Sequence, residues 1–139
     1  CYGFKDDLLV VASESCVLSN LQMESYDIPP GNVLVANDKE FYVKEYAKPI
    51  KINHCFFEYI YFSHNASVMD GINMYNTRTR IGENLAREET DNFEGDDWIV
   101  VPVPDTSYVA GNKYANVMKL PYVLGIIKNH QIGRTIYFQ

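Results

Sequence analysis

Two short apolar runs, Trp98-Ile99-Val100-Val101 and Val123-Leu124-Gly125-Ile126-Ile127, flank a stretch with helical periodicity, and this arrangement constrains the fold more tightly than any other feature. Runs without alternation suit parallel strands covered on both faces. Between them, the turn Pro102-Val103-Pro104-Asp105-Thr106-Ser107 leads into an apolar stripe of Ala110, Tyr114, Val117 and Met118, which Leu120-Pro121 ends. The spacing predicts a right-handed βαβ unit of about 30 residues. An amphipathic helix is also expected from Asn73, with Met74, Ile81 and Leu85 on one face and Arg80, Glu83, Arg87 and Glu88 elsewhere, ending near the polar stretch 89–97. A helix before the unit and a strand closing it predict the opening of an open α/β sheet.

The first half reads differently. Leu8-Leu9-Val10-Val11-Ala12 is an apolar run of strand length, and Val33-Leu34-Val35-Ala36 and Phe41-Tyr42-Val43 flank the turn-like Asn37-Asp38-Lys39-Glu40. That pair predicts an antiparallel hairpin. A short helix is expected over 15–21, and Pro29-Pro30-Gly31 marks a break. Residues 47–71 form a connection with an aromatic cluster, Phe56, Phe57, Tyr59, Tyr61 and Phe62, whose composition suits a core or an interface. The expected fold class is mixed α/β, antiparallel first and parallel later.

With 139 residues, 47% of them hydrophobic, the chain can bury a core without disulfides or a metal. Cys1, Cys16 and Cys55 show no zinc or disulfide spacing, which suits a reducing, cytoplasmic setting. No run approaches the roughly 18 apolar residues of a membrane helix, and neither an initiator Met nor a signal-peptide layout is present. Asn65-Ala66-Ser67 matches a glycosylation pattern too short to carry weight. The net charge of −6 is uneven: residues 1–95 hold fifteen acids against eight bases, whereas after Asp105 come Lys113, Lys119, Lys128 and Arg134 and no acid. Four bases in 34 residues are too sparse for a nucleic-acid stripe. They suit a smaller anion or a solvated surface.

In open α/β sheets ligands gather beyond the carboxyl ends of strands, where helix N-termini present free N–H groups. Asp105, Thr106 and Ser107 fall there, their hydroxyls able either to cap the helix or to hold a phosphate or its magnesium. Lys128, His130 and Arg134 follow the next strand at the same edge, as a solvated loop or as bases for a diphosphate. Neither a Gly-x-x-x-x-Gly-Lys-Ser/Thr loop nor a Gly-x-Gly-x-x-Gly turn occurs, and no spacing pairs a nucleophile with a base.

Several of these segments, taken in order, resemble one family. Cys55-Phe56-Phe57-Glu58-Tyr59-Ile60-Tyr61-Phe62, Asp70-Gly71 through Tyr75 and Arg78 to Gly82-Glu83, Val101-Pro102-Val103-Pro104-Asp105-Thr106-Ser107, Gly125-Ile126-Ile127-Lys128-Asn129 and Gly133-Arg134-Thr135 are similar to the amidophosphoribosyltransferases. Val11-Ala12-Ser13-Glu14-Ser15 and Pro30-Gly31 resemble the end of that family's glutaminase domain. The resemblance implies the C-terminal part of an Ntn-hydrolase antiparallel sheet over 1–50, an interdomain connection over 51–72, and the first βαβ of a type I phosphoribosyltransferase over 73–139. It further implies an enzyme of purine synthesis that uses glutamine-derived ammonia to displace diphosphate from 5-phosphoribosyl 1-diphosphate.

By the same resemblance Ser107 matches a hydroxyl ligand to magnesium, Thr106 lies beside it, and Lys128 and Arg134 match bases of a loop that closes over substrate. Tyr59, or else Tyr61, falls in the segment linked to the ammonia path. Cys55 matches the position of one iron–sulfur ligand in members that bear a 4Fe-4S cluster, and members without one also keep it. The family forms homo-oligomers, without nucleic acid or membrane. Departures from the pattern are Ser63-His64-Asn65-Ala66-Ser67 in place of Arg-Pro-Asp-Ser and His130-Gln131 in place of Arg-Tyr. Cys1-Tyr2-Gly3-Phe4 resembles a late glutaminase strand, so Cys1 is not expected to be the nucleophile. The expectation is a partial chain that is inactive alone, with a non-catalytic binding or assembly module as the alternative.

Overall fold

The computed structural model describes residues 1–91, 93, 97–129 and 131–132, and the chain divides into two compact units, Cys1–Met74 and Tyr75–Gln139. In the first unit, β1 (Tyr2–Lys5) and β2 (Leu8–Val11) form an antiparallel hairpin with Tyr2 opposite Val11. A second hairpin joins β3 (Asn32–Ala36) to β4 (Phe41–Glu45). Its turn is the one read from sequence: Asn37 Oδ1 accepts from the N–H groups of Lys39 at 2.8 Å and Glu40 at 3.0 Å, a local bond that only a short polar side chain can make.

Aromatic rings tie the two hairpins together. Phe41 of β4 lies 4.8 Å from Phe4 and 5.3 Å from Tyr2 between ring centroids, and Tyr2 stacks on Tyr26 at 5.6 Å. Such pairs contribute about 0.5–1.5 kcal/mol each beyond the area they bury. Gly31 closes the base of the second hairpin with φ +75°, its carbonyl accepting from the N–H groups of Tyr46 and Ala47. Only glycine fits, because a Cβ there would stand 1.9 Å from the Ala47 carbonyl oxygen.

The helix expected over 15–21 is α1 (Ser15–Asn20), with Leu18 fully buried. Its N-terminal end is pinned to residues 64–68. Ser15 Oγ accepts from Val68 N–H at 2.8 Å and donates to Val68 C=O at 2.9 Å, while Glu14 Oε2 accepts from His64 N–H at 2.7 Å and Ser67 Oγ at 2.6 Å. Ser67 is thereby buried, which removes the hydroxyl of the glycosylation-like triplet from the surface. The pinned segment leads into a minimal hairpin, β5 (Val68–Met69) and β6 (Ile72–Asn73), turning at Asp70 and Gly71. Before it, Glu58–Phe62 make one π-helical turn. The aromatic cluster is not core: Phe56 is 63% and Phe62 57% exposed.

In the second unit α2 (Met74–Glu88, whose first residue closes the first unit) is followed by α3 (Tyr108–Met118). The buried face of α2 is Met74, Arg78, Gly82 and Ala86, spaced by four, rather than the expected Met74, Ile81 and Leu85. Ile81 and Leu85 remain exposed. The reason is at Gly82, where a Cβ would come within 2.1 Å of the Ala110 carbonyl oxygen: the two helices meet backbone to backbone there, which leaves no room for a side chain at that position. On α3 the residue that meets Gly82 is Ala110; Ala115 is buried, while Val117 of the expected stripe is exposed.

The two flanking runs do not form the expected strands among the described residues. Val100 and Tyr122 make a single parallel bridge, with Val100 N–H donating to Pro121 C=O at 2.8 Å and Val123 N–H to Val100 C=O at 3.0 Å. Pro102, Pro104 and Pro121 remove ladder donors on both sides, and parallel pairing needs covered faces, whereas Trp98, Ile99, Leu124 and Ile127 are exposed. The strand-helix-strand order and its parallel sense survive in that one bridge.

Beyond the end of α2, Glu89 ties down α3. Its carboxylate accepts from Tyr114 OH at 2.9 Å and from the N–H groups of Thr90 and Asp91. The Asp91 N–H, then the Tyr114 hydroxyl, hold the Glu89 carboxyl below its usual range, and burial first, then the bond to Glu89, pushes the Tyr114 phenol up. Folded Glu89 therefore stays ionised where the unfolded chain takes up a proton. Its contribution to stability is complete above pH 4.5 and is lost as the pH falls below that; the Tyr114 contribution is complete below pH 10 and is lost as the pH rises beyond it. In urea titrations the stability gap between native protein and Tyr114→Phe should be flat from pH 6 to 8 and shrink below pH 4.5.

Candidate functional site

The sequence-predicted residues fall at two places. In the second unit, residues 102–107 turn into α3 with Ser107 at its start in helical conformation (φ −80°, ψ −8°), and the Pro104–Asp105 peptide bond is cis. Ser107 does not cap the helix with its side chain; its hydroxyl donates to the Val103 carbonyl, and its own carbonyl accepts from Gly111 N–H at 2.8 Å. A hydroxyl oxygen that donates backward into the turn keeps its lone pairs for a cation or an N–H donor. Thr106 lies half-buried beside it.

Lys128 reaches this turn from the second run. The bridge at Val100 and Tyr122 aligns the two segments, and a Cβ on Gly125 would stand 3.1 Å from Val101 Cγ1, so the chain passes close along the Val101 side chain. Three residues on, Lys128 Nζ donates to Asp105 Oδ2 at 2.6 Å, the two side chains 52% and 41% exposed. An ion pair this open to water contributes about 0–1 kcal/mol. It orients the ammonium without locking it.

Lys113, another base of the acid-free tail, pairs elsewhere. Lys113 Nζ lies 3.8 Å from Glu83 Oε2, and Lys119 is the left-handed residue after α3 (φ 57°). His130 and Arg134 lie outside the described residues. The turn therefore assembles Thr106, Ser107 and Lys128, with Asp105, which the sequence places beside them without a link to Lys128, as a fourth member. Its signal in the sequence is its position: it is the last acid in the chain, immediately ahead of the hydroxyl pair.

The second place is in the first unit. Tyr59 of the π-helical turn donates from its hydroxyl to Asp70 Oδ2 at 3.0 Å, and the same oxygen lies 2.8 Å from His54 Nδ1. Burial first, then the bond to Asp70, pushes the Tyr59 phenol up, so it remains a proton donor through neutral pH. Sequence reading found Tyr59 but neither partner, since His54 and Asp70 are 16 residues apart and meet only because the π-helical turn and the β5–β6 hairpin fold back.

Neither place is a self-contained metal centre: among the described residues no three His, Cys, Asp or Glu side chains gather to hold an ion. The Thr106–Ser107 turn offers oxygen donors, which fit magnesium carried in on a phosphate-bearing ligand. Cys55 is free and exposed and Cys1 and Cys16 are also free, so the described residues do not assemble the four thiolates of an iron–sulfur cluster. No helix among the described residues is long and apolar enough to cross a membrane.

The chain is thus a mixed α/β protein, with antiparallel hairpins in its first unit and, in its second, a turn that opens α3 with Thr106, Ser107 and the Asp105–Lys128 ion pair. No protein-family model matches it. Along nearly its whole length, however, it is homologous to amidophosphoribosyltransferases: 40% identical over 136 residues to that of Archaeoglobus fulgidus, 39% over 135 to that of Methanothermobacter thermautotrophicus, and 38% over 134 to that of Bacillus subtilis. It covers 29%, 28% and 27% of their respective lengths, so it spans under a third of these relatives. The solved structure of glutamine phosphoribosylpyrophosphate amidotransferase from B. subtilis, complexed with ADP and GMP, superposes with a TM-score of 0.78 at 38% identity, over 96% of this chain and 29% of that one. A structure described as the allosteric regulatory enzyme of purine biosynthesis also gives 0.78 at 38% identity, over 96% of this chain and 28% of its own. The resemblance read from residues 55–62, 101–107 and 125–129 is borne out by these relatives.

Proposed function

We propose that this chain is the stretch of an amidophosphoribosyltransferase that runs from the end of the glutaminase into the start of the transferase. Residues 1–50 are the last part of the Ntn-hydrolase antiparallel sheet, 51–72 the connection, and 73–139 the first βαβ of the type I phosphoribosyltransferase sheet. In the complete polypeptide, ammonia from glutamine displaces diphosphate from 5-phosphoribosyl 1-diphosphate, giving 5-phosphoribosylamine at the opening of purine synthesis. A cytoplasmic homo-oligomer is part of the same reading. The homology along 97% of the chain is the observation that carries it.

Lys128 and Arg134 bind the anionic oxygens of the leaving group, and Thr106 and Ser107 orient them from the start of α3. Magnesium, when bound, draws charge from those oxygens, and Ser107 is the hydroxyl that would ligate it. Tyr59 lies on the ammonia path, and in the complete polypeptide the apolar side chains around it, exposed here, would screen ammonia from water, which keeps it unprotonated. Cys55 supplies at most one thiolate toward a cluster, and no role in the reaction depends on it.

Calorimetric titration of magnesium 5-phosphoribosyl 1-diphosphate into the protein tests this. Native protein should bind, and Ser107→Ala should bind about 10-fold more weakly or worse, as expected when a hydrogen bond or ligand to a charged group is lost. Equal affinities would contradict the assignment. The exposure of Ile127 at 87%, Leu124 at 58% and Ile126 at 48% favours a second reading, an assembly module that pairs through this edge. Sedimentation showing a stable oligomer, together with no binding in the titration, would support that instead.

A further inference from the structure

We infer that Asp105 holds Lys128 in the ligand-free protein and gives it up to the diphosphate of an incoming ligand, so that the Asp105–Lys128 ion pair is exchanged on binding. The inference rests on the diphosphate reading of this turn and adds a gate to it.

The geometry sets up a competition for one ammonium. Lys128 Nζ contacts Asp105 Oδ2 at 2.6 Å, and both side chains are about half exposed. Nothing buried prevents the exchange. Asp105 is a short side chain fixed in the turn beside Thr106 and Ser107, whereas Lys128 carries its charge on a flexible four-carbon stem that can swing away from the carboxylate. No other acid lies in the 34 residues after Asp105, so no second carboxylate of that tail competes for Lys128. Lys113, also in the tail, has its own partner in Glu83.

The competition favours particular ligands. A singly charged anion offers Lys128 no more than Asp105 already does, and it must approach a carboxylate. A diphosphate brings several charges on adjacent oxygens and displaces Asp105 from the ammonium. The pair therefore selects for multiply charged anions.

Calorimetric titration with inorganic diphosphate without magnesium, at pH 7.5, decides the point. Asp105→Asn and, independently, Asp105→Ser should tighten binding about 5-fold, the equivalent of releasing one exposed ion pair. In a Lys128→Gln background the same changes should alter affinity by less than about 2-fold, since the carboxylate then has no ammonium to withhold. Native protein that binds diphosphate with an affinity unchanged or weakened in both Asp105 variants would overturn the exchange while leaving the site standing. An equal tightening in the Lys128→Gln background would also overturn it, because plain charge repulsion would then suffice. If no variant binds diphosphate at all, the diphosphate reading falls and the exchange falls with it.

Discussion

Gly82→Val should destabilise the protein by about 3 kcal/mol, at the upper end of what overpacking costs. The buried face of α2 passes so close to α3 that a Cβ at residue 82 would lie 2.1 Å from the Ala110 carbonyl oxygen, 2.9 Å from its carbonyl carbon and 3.0 Å from its Cα. All three atoms are backbone, so no flexible side-chain end can move aside. Helix α3 must retreat by about 1 Å or tilt, and protein interiors resist such shifts. The small rise in helix propensity when valine replaces glycine offsets only about half a kcal/mol. Asn84→Val, on the exposed side of the same helix, should stay within about 0.5 kcal/mol of native. Urea unfolding of the two variants makes the comparison. A Gly82→Val midpoint no lower than that of Asn84→Val would mean that the helices do not meet where described. Because Ser107 stands at the start of α3, Gly82→Val should also weaken diphosphate binding, although residue 82 is not at the turn.

The second large effect is expected at Ser15, where one hydroxyl serves both the N–H and the C=O of Val68 and is itself buried. Alanine there leaves two backbone groups unpaired, at a cost of about 2 to 4 kcal/mol. The carboxylate of Glu14, on His64 N–H and Ser67 Oγ, holds the same segment from the preceding residue, so Glu14→Ala and Ser15→Ala should be coupled when combined. Ser19→Ala is the matched control: its hydroxyl bonds only to the Ser15 carbonyl one helical turn back, at 3.2 Å, and the change should cost less than about 0.5 kcal/mol. Unfolding midpoints for Ser15→Ala and Ser19→Ala that agree would show the Val68 contacts to be dispensable.

Local chemistry made much of this fold legible in the sequence. The β3–β4 hairpin followed from Asn37 and the flanking apolar runs, α1 from its place between the first apolar run and that hairpin, and α2 and α3 from their periodicity. What periodicity missed is what depends on a partner. The buried face of α2 is set by Gly82 and Ala86, which a hydrophobicity count passes over in favour of Ile81 and Leu85. The parallel strands shrank to one bridge because prolines 102, 104 and 121 remove donors and because apolar runs fix no ladder without covered faces. At the site, residue types and order pointed to Thr106, Ser107 and Lys128, but the ion pair with Asp105 required two segments to be aligned by the Val100–Tyr122 bridge. The bond between Tyr59 and Asp70 was illegible for the same reason.

The central claim is that the turn ahead of α3 is part of the diphosphate site of an amidophosphoribosyltransferase. The most direct test assays the complete natural polypeptide that carries this sequence for release of diphosphate from 5-phosphoribosyl 1-diphosphate, with ammonia as nitrogen donor and magnesium present. Native polypeptide should release diphosphate, and Ser107→Ala should lower kcat/KM by about 10-fold or more. A native polypeptide that releases none, or a Ser107→Ala variant as active as native, would contradict the account.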